Sequence, residues 1–243
     1  MPSDGTTTAG PSLRERRRGA AVEEIMAASE RHLDAHGPAG LSLRAVARSL
    51  GMTVQALYHY FPRREDLITA LITKAYGDLA DAVEAAAQAP PDDPAVPGLV
   101  AAAEGFRRWA VTHPERFQLI YGTPLRDYAA PPEGETTRSV RRMSATFRRE
   151  LLGAYTLAQL AACESPELSP GFRTHLEALP PDGLGTLPAP AAALFLSAWG
   201  HMYGLVALEV FGHTAFVGEH QAELFRVAML NLVADTTRRM PAG

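Results

Sequence analysis

The chain has 243 residues, a formal net charge of −4, 47% hydrophobic and 21% charged residues. That is ordinary globular composition, enough for one or two domains with a real core. A single cysteine, Cys163, excludes an intrachain disulfide and fits a reducing cytoplasm, and no run of about twenty apolar residues or basic-then-apolar leader predicts a membrane span or signal peptide.

Residues 1–12 are Gly, Thr, Ser and Pro without periodicity and predict a disordered tail. Arg14, Arg16, Arg17 and Arg18 then open a long helix to about His36, with Val22, Ile25, Met26, Ser29 and Leu33 on one stripe. Positive charge at a helix start opposes the helix dipole. Arg17 and Arg18 are therefore candidates for a phosphate backbone or a minor groove, against the plain reading of a solvated helix start. Gly37-Pro38 ends the helix. In residues 41–62, Ser42 is an N-cap and Leu43, Val46, Ala47 and Leu50 share a face. Gly51 suits a left-handed turn, Thr53 caps a second short helix, and Pro62 stops it after Phe61. Helix, glycine turn, helix is a helix-turn-helix, whose second helix enters the DNA major groove. Leu57 and Phe61 face inward, so Tyr58 and His59 face outward. Residues 1–64 hold nine Lys and Arg against six Asp and Glu, whereas the rest hold fourteen against twenty-one. The basic part is the one with the helix-turn-helix.

The stretch G-M-T-V-Q-A-L-Y-H-Y-F-P-R-R-E-D-L, Gly51 to Leu67, resembles the signature of the TetR family of one-component transcriptional regulators, and L-S-L-R-A-V-A-R-S-L resembles that family's first motif helix. The likeness covers roughly the first third of the chain. It departs at Arg64, where the family has lysine, and at Arg63, where the family often has a small cap. Arg64 keeps the charge, and Arg63 leaves the next helix weakly capped. The resemblance implies that Arg44, Thr53, Val54, Gln55, Ala56, Tyr58, His59 and Arg64 face double-stranded DNA. By chemistry, Arg44 and Gln55 suit base edges, while Thr53, Tyr58 and Arg64 suit phosphates.

From Arg64 to near Ala87 a helix carries Leu67, Leu71 and Ala75 on one face. The resemblance makes it the link between DNA-binding and ligand-binding parts. Ala89–Pro97 reads as a loop. Leu99, Ala103, Phe106 and Ala110 mark a further helix, ending at His113-Pro114, and Phe117, Ile120 and Tyr121 a short one. Residues 122–137 read as loop. A clean helix is predicted over 138–163, with Val140, Met143, Phe147, Leu151, Ala154 and Ala158 buried and Arg138, Arg141, Arg142, Arg148 and Arg149 solvated. Residues 164–187, rich in Pro and Gly, read as a connection with one helical turn near 172–179, a lid or simple loop.

Two last helices span about 189–211 and 218–239. The first carries Phe195, Trp199, Met202, Tyr203, Val206 and Val210 on one face and Leu194, Ala198, Leu205 and Leu208 on another. So wide an apolar arc needs two partners. The second helix has Leu224, Phe225, Ala228, Met229, Leu232 and Val233. Together they suit a four-helix bundle with a second subunit, its interface built from Trp199, Val206, Leu224, Ala228 and Leu232. W-G-H-M-Y-G-L-V-A-L-E, Trp199 to Glu209, is also similar to the Trp-His-Gly type of C-terminal domain, with Gly200 interrupting the pattern.

No catalytic motif, phosphate-binding glycine loop or cysteine pair is present. His220, Glu223 and His213 are thin as metal ligands, so neither a metal nor a cofactor is expected. Phe106, Trp109, Phe117, Tyr121, Met143, Phe147, His201 and Tyr203 can line an apolar pocket with a few polar handles, for a small hydrophobic effector. The expectation is an all-α protein: a tail over 1–12, a helix-turn-helix domain over 13–63 and a helical ligand-binding and dimerisation domain over 64–243. Its function would be a ligand-inducible repressor binding a palindromic operator as a homodimer. The alternative is an all-α small-molecule binding protein or enzyme with an incidental helix-turn-helix.

Overall fold

The computed structural model describes residues 12–89, 96–122, 134–180, 184 and 186–241. The tail over 1–11, most of the loop 89–97, the loop residues 123–133 and residues 181–183 and 185 of the long connection lie outside the described residues. Within them the fold is all-helical, with no strand. The elements are α1 (Leu13–His36), α2 (Leu43–Ser49), α3 (Val54–Tyr60), α4 (Arg64–Gln88), α5 (Gly98–Thr112), α6 (Pro114–Tyr121), α7 (Glu135–Leu152), α8 (Leu157–Ala161), α9 (Pro170–Glu177), α10 (Ala189–Val210) and α11 (Gln221–Arg239), with a 3-10 turn Ala215–His220 before the last.

Two hydrophobic cores organise these helices. The first joins Ile25, Ala28 and Leu33 of α1, Leu43, Val46 and Ala47 of α2, Leu57 and Phe61 around α3, and Leu67, Ile68, Leu71 and Ile72 of α4. The second joins Ala75, Leu79, Ala80 and Val83 of α4 with α5, α7, α10 and α11. Helix α4 therefore serves both cores, and the division at residue 63 cuts the chain but not the packing. Short α6 does likewise: Leu119 lies in the first core and Phe117 in the second. At Gly105 a Cβ would stand 2.5 Å from the Ala86 methyl, so α5 packs on α4 at a distance only glycine permits.

Local capping explains the helix limits. The Ser12 hydroxyl accepts from the Glu15 backbone and the Glu15 carboxylate accepts from the Ser12 backbone, a capping box that holds the Glu15 carboxyl below its ordinary range. Contrary to the weak start expected for α4, Asp66 accepts from the Arg63 backbone N–H at 3.0 Å and from its guanidinium at 2.7 Å. The helix expected over 138–163 is broken. Glu135–Leu152 ends at Gly153, and α8 restarts under a reciprocal Thr156–Gln159 capping box. Ala154 and Ala158 are consequently exposed. Val140 is 36% exposed rather than buried, while Thr136 and Thr146 take core positions on that helix. Arg142 is not merely solvated: it pairs with Asp81 and, at 2.9 Å, with Glu84, joining α7 to α4. The long connection is anchored by fully buried Leu176 of α9. Cys163 is a buried free thiol, its pKa raised by burial and opposed by Arg239.

Helix α10 is the one described helix that meets the length and composition of a membrane span, a test that a packed core helix also passes. It is 22 residues long, with a mean hydropathy of 1.4 over its best window, so length and composition alone would let it cross a bilayer. One side of it packs in the second core through Phe195, Met202 and Val206.

Candidate functional site

The helix-turn-helix is fixed by three local devices. The Ser42 hydroxyl caps α2 by accepting from the Ala45 N–H, and the Thr53 hydroxyl caps α3 by accepting from the Ala56 N–H at 3.1 Å. Between them Gly51 adopts φ +66°, left-handed, where a side chain is strained. Leu57, fully buried, then pins α3 against α1, α2 and α4.

That pinning decides what α3 presents outward. Thr53, Gln55, Tyr58 and His59 are exposed along one surface; Val54 and Ala56 are half-buried, Val54 against the core. Arg44 of α2 is exposed beside them, and Arg64, half-buried, opens α4. Arg17 and Arg18 are exposed on α1. The Arg18 guanidinium lies 5.5 Å from the centre of the Tyr60 ring, which ties the first turns of α1 to the end of α3. The sequence reading overlooked Arg48, exposed in the last turn of α2. Its signal was available: it stands one turn after Arg44 on the outer side of the same stripe.

The pairing of charges is denser away from this surface. In the second core region Arg107 is paired with Glu209, Arg142 with Asp81 and Glu84, Arg226 with Glu104, and both Arg238 and Arg239 with Asp235. Around α3, Arg17, Arg18, Arg44, Arg48 and Arg64 form no ion pair among the described residues. The exception is Arg63, paired with Asp66. A cluster of cations without carboxylate partners is the electrostatic footprint of a surface that meets phosphate.

The expected pocket residues divide into three sets. Phe106 is the hub of an aromatic cluster, with ring centres 6.2 Å from Phe117, 6.1 Å from Tyr121, 6.3 Å from Phe147 and 5.6 Å from Trp199. Tyr203 joins it through Tyr121 at 5.2 Å and Phe117 at 6.1 Å, and Met143 is buried in the same core. Trp109 stands apart, its ring centre 5.3 Å from His113 in a tilted contact, and lines an open groove between α4 and α5 with Arg108. His201 is exposed in a groove between α10 and α11, with Asn231 and Asp235, and does not meet Tyr203. Two residues along a helix are about 200° apart, which puts His201 and Tyr203 on opposite sides. The sequence reading also overlooked Tyr76, edge-on to Tyr121 at 5.7 Å, although it follows Ile72 at the i+4 spacing of the α4 stripe.

Between the cluster and α11 is an apolar cavity of about 20 Å³, lined by residues including Leu99, Phe147, Trp199, Met202 and Met229. That is room for about one water, far below the roughly 300–1,000 Å³ of an ordinary ligand pocket. Of the residues expected at a subunit interface, Val206 is fully buried and Trp199 packs against Phe106 and Phe147. Both follow the i, i+3, i+4, i+7 stripe with Met202 and Tyr203, so their surface is used within the protomer. Leu224 is 44% exposed; Ala228 and Leu232 are half-buried. The free apolar face consists instead of Leu196, Leu208, Leu224, Val227 and Leu230. His220 and Glu223 approach to 3.7 Å on an exposed surface, and no third metal-ligating side chain joins them among the described residues.

Comparison with known proteins gives this geometry its context. Residues 25–71 match the family described as bacterial regulatory proteins, tetR family, and residues 99–232 match the tetracyclin repressor-like C-terminal domain. The HTH-type transcriptional regulator Rv1816 of Mycobacterium tuberculosis is 36% identical over 191 residues, 78% of this chain and 80% of that protein, as is Mb1846 of Mycobacterium bovis. The crystal structure of the regulatory protein SCO4313 superposes with a TM-score of 0.70 at 30% identity, covering 92% of this chain and all of that one. A TetR variant from Acinetobacter baumannii AYE, in complex with minocycline, shares the fold at 16% identity, with a TM-score of 0.52 over 90% of this chain and 97% of that one. Both parts of the chain match parts of one regulator, which removes the reading of an enzyme with an incidental helix-turn-helix: the chain belongs to the TetR family of DNA-binding transcriptional regulators.

Proposed function

We propose that the protein is a ligand-responsive repressor that binds a palindromic operator as a homodimer in the cytoplasm. The observation that carries the DNA-binding part is the set of arginines around the exposed face of α3 that form no ion pair among the described residues, whereas most described arginines of the second core region have carboxylate partners. Arg44 and Gln55 are assigned to base edges, and Thr53, Tyr58, Arg64, Arg17 and Arg18 to the backbone. His59, Val54 and Ala56 complete the surface in contact. One protomer offers one such helix, and a palindrome needs two, about one helical turn apart or a multiple of it.

The dimer reading is supported by the free apolar face of α10 and α11, Leu196, Leu208, Leu224, Val227 and Leu230, which is the unburied side of the membrane-length helix. A second copy covers such a face without a bilayer. For the ligand, the aromatic cluster around Phe106 is the candidate site. The apolar cavity beside Phe147 and Trp199 holds about one water, so a drug-sized effector seated in the cluster itself has to part these rings, and Phe117 and Tyr121 belong to α6 while Tyr76 belongs to α4. Opening the cluster therefore displaces the two helices that enter both cores. That is a population shift between a packed, operator-binding conformer and an opened one. The relative from Acinetobacter baumannii, solved with minocycline, is a precedent of fold for a small-molecule site in such a protein.

The test is a mobility-shift titration with the promoter region next to the protein's own gene, over a range of salt. Binding with a steep salt dependence and a stoichiometry of two protomers per site supports the reading. Equal affinity for that fragment and for random DNA of the same length refutes operator recognition.

A further inference from the structure

Three tyrosines on three helices meet beside Phe106: Tyr76 of α4, Tyr121 at the end of α6 and Tyr203 of α10. The Tyr121 ring is 5.7 Å from Tyr76, 5.2 Å from Tyr203, 5.1 Å from Phe117 and 6.1 Å from Phe106, so rings surround it. The hydroxyls differ in what they do. Tyr203 donates to the Tyr121 backbone carbonyl at 3.3 Å, and Tyr76 donates to the Ile120 carbonyl at 3.4 Å. Both thus satisfy carbonyls in the last turn of α6, which have no partner within the helix. The Tyr121 hydroxyl has no hydrogen-bond partner among the described residues; its ring is only partly buried, but the hydroxyl end is turned into the cluster and desolvated. Buried polar groups are nearly always paired, so an orphan donor inside an aromatic cluster calls for an explanation.

We infer that the Tyr121 hydroxyl is the hydrogen-bond anchor of the effector site, and that the effector is a neutral, ring-bearing molecule that presents an accepting oxygen to it, such as a ketone. The inference rests on the inducible-regulator reading above and deepens it. Burial first, then the neighbouring phenols Tyr76 and Tyr203, push the Tyr121 pKa well above its ordinary value, so the group is a proton donor at neutral pH. The other two phenols already donate to carbonyls of α6. Among the described residues the cation-ring contacts are Arg18 on Tyr60 and Arg107 on Phe225, so no guanidinium or ammonium lies over the Tyr121 or Tyr203 ring. Among the described residues an anionic ligand would therefore lose its hydration without a counter-charge, whereas a carbonyl oxygen gains the Tyr121 donor. The flanking rings and Phe117, stacked with Tyr203, supply the flat apolar walls that a ring system needs. Because Tyr76 and Tyr121 stand on α4 and α6, an oxygen held there is held against the helices that reach the DNA-binding core.

The experiment uses two probes of nearly equal shape, 9-fluorenone and fluorene, with fluorene-9-carboxylate as the anion, titrated calorimetrically into the full-length dimer. The variant is Tyr121→Phe, which removes the hydroxyl and keeps the ring. Wild-type protein is expected to prefer fluorenone over fluorene about tenfold, the worth of one hydrogen bond to a buried donor, and to reject the carboxylate. In Tyr121→Phe the preference should fall to about one while fluorene affinity holds, and the apo melting temperature should be unchanged or higher, since an orphan hydroxyl is lost. Equal binding of the two probes by wild type, absence of fluorenone binding, or a preference that survives Tyr121→Phe would each overturn the inference; a hydroxyl satisfied by water gives the first result. A melting temperature lowered by several degrees would mean that the hydroxyl has a protein partner, and overturns it as well. Operator affinity is measured separately with saturating fluorenone. Ketone preference without operator release leaves this subsite standing and removes the inducible reading.

Discussion

Replacing Arg116 with Met tests how the two cores are joined. Arg116 opens α6 and is 17% exposed. It donates to Asp34 of α1 at 2.8 and 3.0 Å and to Glu30 at 3.2 Å, and lies 3.7 Å from Asp78 of α4. Lys74 closes the network, 2.8 Å from Asp78 and 3.2 Å from Glu30. The bond to Asp34, working against burial, raises the Arg116 pKa, and the neighbouring carboxylates add to it. On removal of the guanidinium, Asp34, 42% exposed, rehydrates at small cost, while Glu30, 15% exposed, keeps Lys74. The loss should thus exceed the ~0–1 kcal/mol of an exposed pair and fall short of the ~3–5 kcal/mol of a broken buried one. About 1–2 kcal/mol is expected. At roughly 2–4 °C per kcal/mol for a chain of this size, the melting temperature should drop by about 2–8 °C. Met keeps the apolar stem, so the loss reports charge. Scanning calorimetry at fixed protein concentration measures it, and Asp34→Asn completes a double-mutant cycle. A melting temperature within about 1 °C of wild type, or no coupling to Asp34→Asn, would refute the electrostatic joint and leave the apolar contacts of Leu119 and Ile120 to hold α6 to the first core.

Tyr58→Ala should weaken DNA binding on all sequences alike and flatten the salt dependence, whereas Arg44→Ala should cost about 1–3 kcal/mol and relax preference at one base pair; wild-type affinity from both variants at physiological salt removes this docking. Leu224→Asp and Leu230→Asp should give monomers or aggregates in light scattering, and a well-folded dimer from both moves the interface elsewhere. Gly51→Ala puts a side chain at φ +66° and should destabilise the protein by about 1 kcal/mol in urea unfolding; no change would mean the turn relaxes. Asp66 has its pKa lowered from 3.8 by the hydrogen bond from Arg63, so its capping contribution is full above that value and lost as pH falls through the folded-state pKa. Asp66→Asn should therefore flatten the stability profile below about pH 4 and leave its slope near neutrality unchanged.

The helix-turn-helix was legible because its signals are local and independent. Ser42, Gly51 and Thr53 each fix one boundary, and the buried faces of Leu57 and Phe61 leave Tyr58 and His59 one direction to point. The same local logic misplaced the end of α7, because Met143, Phe147 and Leu151 extrapolate smoothly to Ala154 and Ala158, and periodicity carries no stop signal. The stop was written elsewhere, in Gly153 and the Thr156–Gln159 box. At α11, Gly218 with φ +64° likewise delays the helix to Gln221. On α10, two apolar faces are visible in the sequence but not which of them packs within the protomer; Trp199 and Val206 pack inward and Leu196 outward. What pattern could not supply at all is contact between distant residues. Arg116 and Asp34 are 82 positions apart and Arg107 and Glu209 are 102 apart, and neither pair has any local signature.

Helix α6 is where these long-range contacts converge, and its length makes it a stiff connector. In eight residues it places Arg116 against α1 and α4, Leu119 in the DNA-binding core, and Phe117 and Tyr121 in the aromatic cluster. The cavity of about 20 Å³ lies beside Phe147 and Trp199 and is too small for an effector, so one seated among the rings around Tyr121 would displace Phe117 or Tyr121, and α6 is too short to absorb the shift by bending. The displacement must appear either in the Arg116 network or in α4. A coupling of about 1–3 kcal/mol would lower operator affinity roughly 5–150-fold, and operator would weaken effector binding by the same factor. Arg116→Met loosens one of the two routes without touching the effector. It should therefore leave effector affinity for free protein nearly unchanged while reducing the operator-linked factor. If the variant keeps the full wild-type factor, the signal travels through α4 and its Tyr76 contact alone, and the ion-pair network is structural only.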